Sequence, residues 1–80
     1  MIKVNSKLDD DIFGLWRVTE IVVQRDGERY AFVPDGEVFV DKSDALRFAQ
    51  ARARRFLQRQ LGVTNGDVVW EPPLETLCNN

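Results

Sequence analysis

Four side chains within the segment Ser43–Leu61 have the types and the spacing to bind an anion. They follow one another at i, i+4, i+7 and i+11, which places them on one side of a helix. Arginine guanidinium groups form paired hydrogen bonds to carboxylates and phosphates, and an aromatic ring among them can stack on a base or enter a partner's pocket. The spacing therefore predicts a partner-binding helix face, made by Phe48, Arg52, Arg55 and Arg59.

The charge balance of the chain leaves two readings of this face open. Five arginines and one aspartate give Ser43–Leu61 a net charge of +4, and because the whole chain carries −2, the other residues carry −6. Acidic residues elsewhere are numerous enough to pair with the arginines of an ordinary solvated helix face. In the functional reading, the same arginines bind a separate partner.

An acidic protein surface is the partner that the sequence favours. The isoelectric point of about 5.0 opposes long-range attraction to a polyanion, and the sequence contains no helix-turn-helix, RNP or KH motif. The predicted function is a non-enzymatic protein–protein interaction module. The alternative is a nucleic-acid-binding accessory protein that places the same arginines on phosphates.

Residue types that commonly carry out catalysis or bind metals are scarce. The chain has no histidine, and its one cysteine, Cys78, lies close to the last residue. The aspartates Asp9–Asp11 are consecutive, unlike the alternating ligands of a calcium loop, and no glycine-rich phosphate motif occurs. We therefore expect no catalytic residue, no metal and no cofactor.

The overall composition is typical of one globular domain. The chain has 80 residues, of which 44% are hydrophobic and 30% are charged, and this predicts a single domain over residues 1–80. No apolar run approaches the roughly 20 residues of a membrane span, and Met1–Ser6 lacks the apolar region of a signal peptide. A lone cysteine also forms no internal disulfide. These features favour a cytoplasmic protein outside the membrane.

The helix that carries the arginines has clear boundary and packing signals. Ser43 is a suitable N-cap residue, and Gly62 suits the left-handed position that follows a helix. The side of the helix expected to pack on a sheet is apolar; it consists of Ala45, Leu46, Ala49, Ala53, Phe56 and Leu57.

Strand signals precede the helix. β-Branched and aromatic residues, separated by turn residues at Asp26-Gly27 and Pro34–Gly36, predict a meander over residues 12–41. Its strands are Ile12–Gln24, Arg29–Val33 and Glu37–Asp41.

The terminal segments carry weaker strand signals. In the N-terminal segment, residues 1–11, the pattern predicts a short edge strand at Met1–Asn5 and a loop at Ser6–Asp11. In the C-terminal segment, residues 62–80, it predicts a short strand at Val68–Trp70. The predicted fold class is therefore α+β. It consists of an antiparallel three-stranded β-meander, with extra short terminal strands, packed against one long α-helix over residues 43–61.

The two faces of this sheet raise the question of self-association. A two-residue turn at Asp26-Gly27 pairs Val23 with Tyr30 and Ile21 with Phe32 on one face. The alternation then places Trp16, Val18 and Val22 on the other face, which the single helix leaves uncovered. Either the terminal segments cover that second face, or a homodimer buries it with these three residues as its self-association surface.

Overall fold

The structure of this chain, a computed structural model, describes residues 1–63 and 67–74. Its described part contains a mixed four-stranded sheet and one helix, so the predicted α+β class is confirmed. In the sheet order β3-β2-β1-β4, β2 pairs antiparallel with β1 and β3, while β4 pairs parallel with β1. The elements are β1 Ile2–Asp10, β2 Trp16–Arg25, β3 Glu28–Phe32, α1 Lys42–Gln60 and β4 Val68–Glu71.

Two strands of the meander correspond to predicted ones, β2 to Ile12–Gln24 and β3 to Arg29–Val33, whereas the third is β1. β1 lies inside the sheet between β2 and β4, and it continues to Asp10 rather than ending at Asn5. Its last residues pair with the start of β2, where Asp10 lies opposite Trp16. The aspartates are tolerated there because their side chains are at the exposed end of a strand whose backbone is hydrogen-bonded to β2.

The predicted third strand of the meander, Glu37–Asp41, forms a single bridge. Phe39 exchanges two backbone hydrogen bonds with Trp16, of 2.7 and 2.8 Å, and pairing stops there. Pro34 has no N–H to donate, so the ladder beyond Phe32 is interrupted before the chain returns to β2.

The hairpin between β2 and β3 agrees with the predicted register. Asp26 and Gly27 both have positive φ, of 47° and 86°, as a type I′ turn requires. Val23 accordingly lies opposite Tyr30, and Ile21 lies opposite Phe32.

A β-bulge in β2 changes which face several side chains occupy. Lys7 pairs with Glu20 and the next residue, Leu8, pairs with Val18, so Thr19 is the extra residue. The Thr19 hydroxyl donates a hydrogen bond of 3.1 Å to the carbonyl oxygen of Lys7. The extra residue inverts the alternation, and Val18 therefore joins Ile21 in the core beneath α1.

The helix packs on this core largely as predicted. Ala45, Leu46, Ala49, Ala53 and Leu57 are buried, and Phe56 is half-buried. The buried set also includes Gln50, whose Nε2 donates a hydrogen bond of 3.4 Å to the Pro72 carbonyl oxygen.

Both ends of α1, Lys42–Gln60, differ by one residue from the predicted range 43–61. The N-cap is Asp41, not Ser43, and it makes no side-chain capping bond. Gly62 has a φ of +67°, as expected for the residue that follows the helix.

Candidate anion-binding cleft

The second half of α1 and the chain that follows β3 form a surface cleft with a volume of about 320 Å³. This is at the lower end of the size range of small-ligand pockets. We call it the arginine cleft. It is lined by Phe32, Val33, Pro34, Asp35, Arg52, Arg55, Phe56, Arg59 and Gln60.

The apolar part of the arginine cleft is held in place by aromatic packing. The Phe56 ring stacks on Phe32, with centroids 5.1 Å apart, and contacts Tyr30 at 5.5 Å. Beside them Val33 is 68% exposed. The cleft therefore has a fixed aromatic wall and an apolar side chain open to solvent, to which an apolar group of a partner can pack.

Arg52 is already engaged on two sides. One of its terminal nitrogens lies 3.4 Å from a carboxylate oxygen of Asp35, and its guanidinium lies 5.2 Å from the centre of the Phe48 ring. Phe48 in turn contacts Phe39 at 5.3 Å. Arg52 is therefore positioned by its neighbours, and Phe48 supports it from outside the lining of the cleft.

Arg55 and Arg59 are the side chains of the cleft that are open to an incoming anion. Both are exposed, and neither has an ion pair or a ring contact within the described part of the chain. Three arginines and one aspartate give the lining a net charge of +2. The cleft can therefore accept carboxylate or phosphate oxygens without first breaking a pair at these two residues.

The remaining helix arginines, Arg47 and Arg54, also have partners within the described part of the chain. Arg47 lies 3.3 Å from a carboxylate oxygen of Asp44, one turn away on the surface. Arg54 lies over the Trp70 ring at 4.8 Å, on the side of α1 that faces β4. Both arginines are therefore engaged within the described part of the chain.

The predicted partner-binding residues are mostly brought together. Arg52, Arg55 and Arg59 line one cleft, and Phe48 lies beneath Arg52. Sequence reasoning did not include Asp35 or Phe32 in the site. Asp35 belongs to the predicted turn at Pro34–Gly36, but no local pattern in the sequence places that segment beside the helix.

The predicted self-association residues do not share one face. Trp16 lies beside Lys42 at the start of α1, 5.0 Å from ring centre to Nζ, and Val18 is in the core. Val22 is on the opposite face, where it is only 6% exposed. Its cross-strand neighbours are Asn5 and Ala31. The same face carries the ion pairs Lys3–Glu71 and Lys7–Glu20, each at 3.0 Å.

Other chemistry is limited in the described residues. Among them, no group of three or more His, Cys, Asp or Glu side chains is arranged to hold a metal ion. A carboxylate oxygen of Asp11 instead accepts hydrogen bonds from the backbone of Phe13 and Leu15, at 2.9 and 3.0 Å. Cys78 lies outside the described residues. No helix in residues 1–63 and 67–74 is both long and apolar enough to cross a membrane.

The sheet, the helix and the cleft define an α+β protein with a basic cleft at one edge of its sheet. Comparisons with protein-family models, with curated proteins and with solved structures found no match to this chain.

Proposed function

We propose that this chain is a non-enzymatic protein-binding module whose arginine cleft takes an acidic segment of a partner protein. The observation that supports this proposal is the pair Arg55 and Arg59, which are exposed and without an ion pair in the described part of the chain, beside the apolar wall made by Phe56 and Val33. Carboxylates bind to the guanidinium groups, and an apolar side chain of the partner packs on the wall.

An acidic protein suits the cleft better than a nucleic acid does. The net charge of +2 in the lining contrasts with −2 for the whole chain, so a long polyanion meets repulsion outside the cleft. The other arginines of α1 already have partners, since Arg47 pairs with Asp44 and Arg54 lies over Trp70. Nucleic-acid binding through the same arginines is the alternative that the experiment below distinguishes.

The test is direct binding of a fluorescein-labelled octapeptide of alternating valine and glutamate, measured by fluorescence anisotropy. We expect Arg55→Glu to weaken binding at least about tenfold, because reversing one charge replaces attraction with repulsion. The matched control is Arg54→Glu, which makes the same charge change one residue away on the side facing β4. Equal affinities of Arg55→Glu and the unchanged protein would rule out the arginine cleft as the binding site.

A single-stranded DNA octamer with the same label tests the alternative. Phosphate binding releases counterions, so the logarithm of its binding constant falls linearly with the logarithm of salt concentration. Tighter binding of the DNA octamer than of the acidic peptide, lost in Arg55→Glu, would favour the nucleic-acid function.

We also propose homodimerisation and a cytoplasmic location as parts of this function. Exposed apolar side chains after β3 support self-association, since Val33, Val38 and Val40 all lie open to solvent. Light scattering on a sizing column measures the mass directly. A mass near 9.2 kDa at all concentrations would exclude the dimer.

A further inference from the structure

The outer edge of β3 presents backbone groups that point away from the sheet. In a two-residue hairpin the residues that flank the turn, Arg25 and Glu28, exchange both backbone hydrogen bonds, and such pairs recur at every second position. Tyr30 and Phe32 therefore bond to β2. The N–H and C=O groups of Arg29 and Ala31 are directed outward.

This edge is open in the described part of the chain. β3 is the first strand in the sheet order, so one of its sides has no neighbouring strand. Arg29 and Ala31 are exposed, and the described contacts include no hydrogen bond to their outward groups. An open edge of this kind is a template for pairing with another extended chain.

The open edge lies beside the arginine cleft. At the start of α1, Lys42 lies over Trp16, the first residue of β2. Near the end of α1, Phe56 contacts Tyr30, which lies opposite Val23 near the end of β2. The helix thus runs in the same general direction as β2. Phe56 packs on β3, and the cleft that Arg55 and Arg59 line is bounded by the end of that strand.

We propose that the acidic segment binds as a fifth strand, antiparallel to β3 along its outer edge. This inference rests on the proposed function and specifies its binding mode, which is β-strand addition. The outward groups of Arg29 and Ala31 bond to the backbone of the segment. Side chains on the helix side of the added strand reach Arg55 and Arg59.

The geometry specifies the sequence pattern of the segment. Side chains on one face of a strand are about 6.7 Å apart, and Arg55 and Arg59 are separated by a rise of about 6 Å along the helix. Acidic residues at every second position therefore match the two arginines. The alternate residues lie on the face of Ala31 and of its cross-strand neighbour Val22, where apolar side chains can pack.

Backbone N-methylation of the octapeptide tests the added strand with the unchanged protein. Residues directly opposite in an antiparallel pair share a face, so the partners of Arg29 and Ala31 are the valines, and their N–H groups bond to β3. We expect methylation of all four valine nitrogens to weaken binding at least about tenfold and methylation of the glutamate nitrogens to have little effect.

The other outcomes of this series are also decisive. Loss of binding on methylation of the glutamates alone means that the strand is parallel or is shifted by one residue, and either result overturns the proposed arrangement. Equal effects of the two sets, whether both weaken binding or neither does, would overturn strand addition altogether. If the charge reversal Arg55→Glu still weakens binding in that case, the proposed function stands and only its binding mode falls.

A second measurement places the peptide on the protein. Amide hydrogen exchange at Arg29 and Ala31 slows on peptide binding if these groups become hydrogen-bonded, and we expect at least about tenfold slowing at both. Unchanged exchange at both amides in the saturated complex would exclude β3 as the site. Protection of these amides in the free protein that increases with protein concentration would instead identify a second copy of this chain as the occupant of the edge.

Discussion

The Phe56 ring on the helix stacks on the Phe32 ring of the edge strand, with centroids 5.1 Å apart and planes inclined by 24°. This contact joins the helix to the strand that lies at the border of the sheet. Because Phe56 follows Arg55 directly, the same contact holds the exposed arginine beside the open edge. The packing of the helix on β3 and the position of the proposed site therefore share one aromatic pair.

Removal of this pair is expected to affect stability and binding together. We expect Phe56→Ala to lower the free energy of unfolding by about 2 kcal/mol, less than for a fully buried phenylalanine because the ring is half-buried. Urea denaturation measures this, and the acidic octapeptide should also bind more weakly. Phe56→Leu is the control and is expected to keep most of the stability and most of the peptide affinity. A Phe56→Ala variant as stable as the unchanged protein would mean that the stacking contributes nothing to stability.

The Asp35 carboxylate competes with an incoming acid for Arg52. Its side chain is 88% exposed, so its pair with Arg52 at 3.4 Å contributes at most about 1 kcal/mol to stability. We expect Asp35→Asn to leave the melting temperature nearly unchanged and to tighten peptide binding about threefold. Glu71→Gln removes one negative charge from an exposed ion pair on β4, at the opposite edge of the sheet, and affinity should not change there. Weaker binding in Asp35→Asn would contradict this role.

Gly27 is expected to be essential for the β2–β3 hairpin. At a φ of +86° a β-branched side chain is strained, although no atom lies within 4 Å of the added Cβ. We expect Gly27→Val to destabilise the protein by about 2 kcal/mol. Gly36→Val is the control, because Gly36 has no positive φ and also has open space around it. Similar stabilities of the two variants would argue against the type I′ turn.

The bulge at Thr19 is testable through Val18. With the bulge, Val18 is 7% exposed beneath α1, and we expect Val18→Ala to cost about 2 kcal/mol in urea denaturation. Val33→Ala, at an exposed position, should cost less than about 0.5 kcal/mol. A negligible effect of Val18→Ala on the free energy of unfolding would contradict the bulge and would support a regular strand, in which Val18 lies on the face away from the helix.

Local patterns in the sequence were sufficient for several elements. The periodicity of Ala49, Ala53 and Leu57 identified the packing side of the helix, because a helical period of 3.6 residues places these positions on one face. Asp26-Gly27 identified the hairpin and its register, because the turn requires positive φ at both positions. The spacing of Arg52, Arg55 and Arg59 likewise predicted that they share one helix face.

Other features depend on contacts between segments that are distant in the sequence. The length and inner position of β1 follow from its pairing with both β2 and β4, which the Asp9–Asp11 run does not indicate. The bulge at Thr19 arises from the register of β2 against β1, and it moves Trp16 and Val18 to the helix side.

The sequence by itself therefore determined the fold class, the helix and its basic stripe, since these depend on periodicity and on turn chemistry within short segments. Only the tertiary structure decided which arginines have an interaction partner within the chain. Arg54 is over Trp70 and Arg52 beside Asp35, while Arg55 and Arg59 line the cleft without an ion pair in the described residues. Such pairing is set by which strand edge and which loop the helix meets when it packs, and that is a property of long-range contacts.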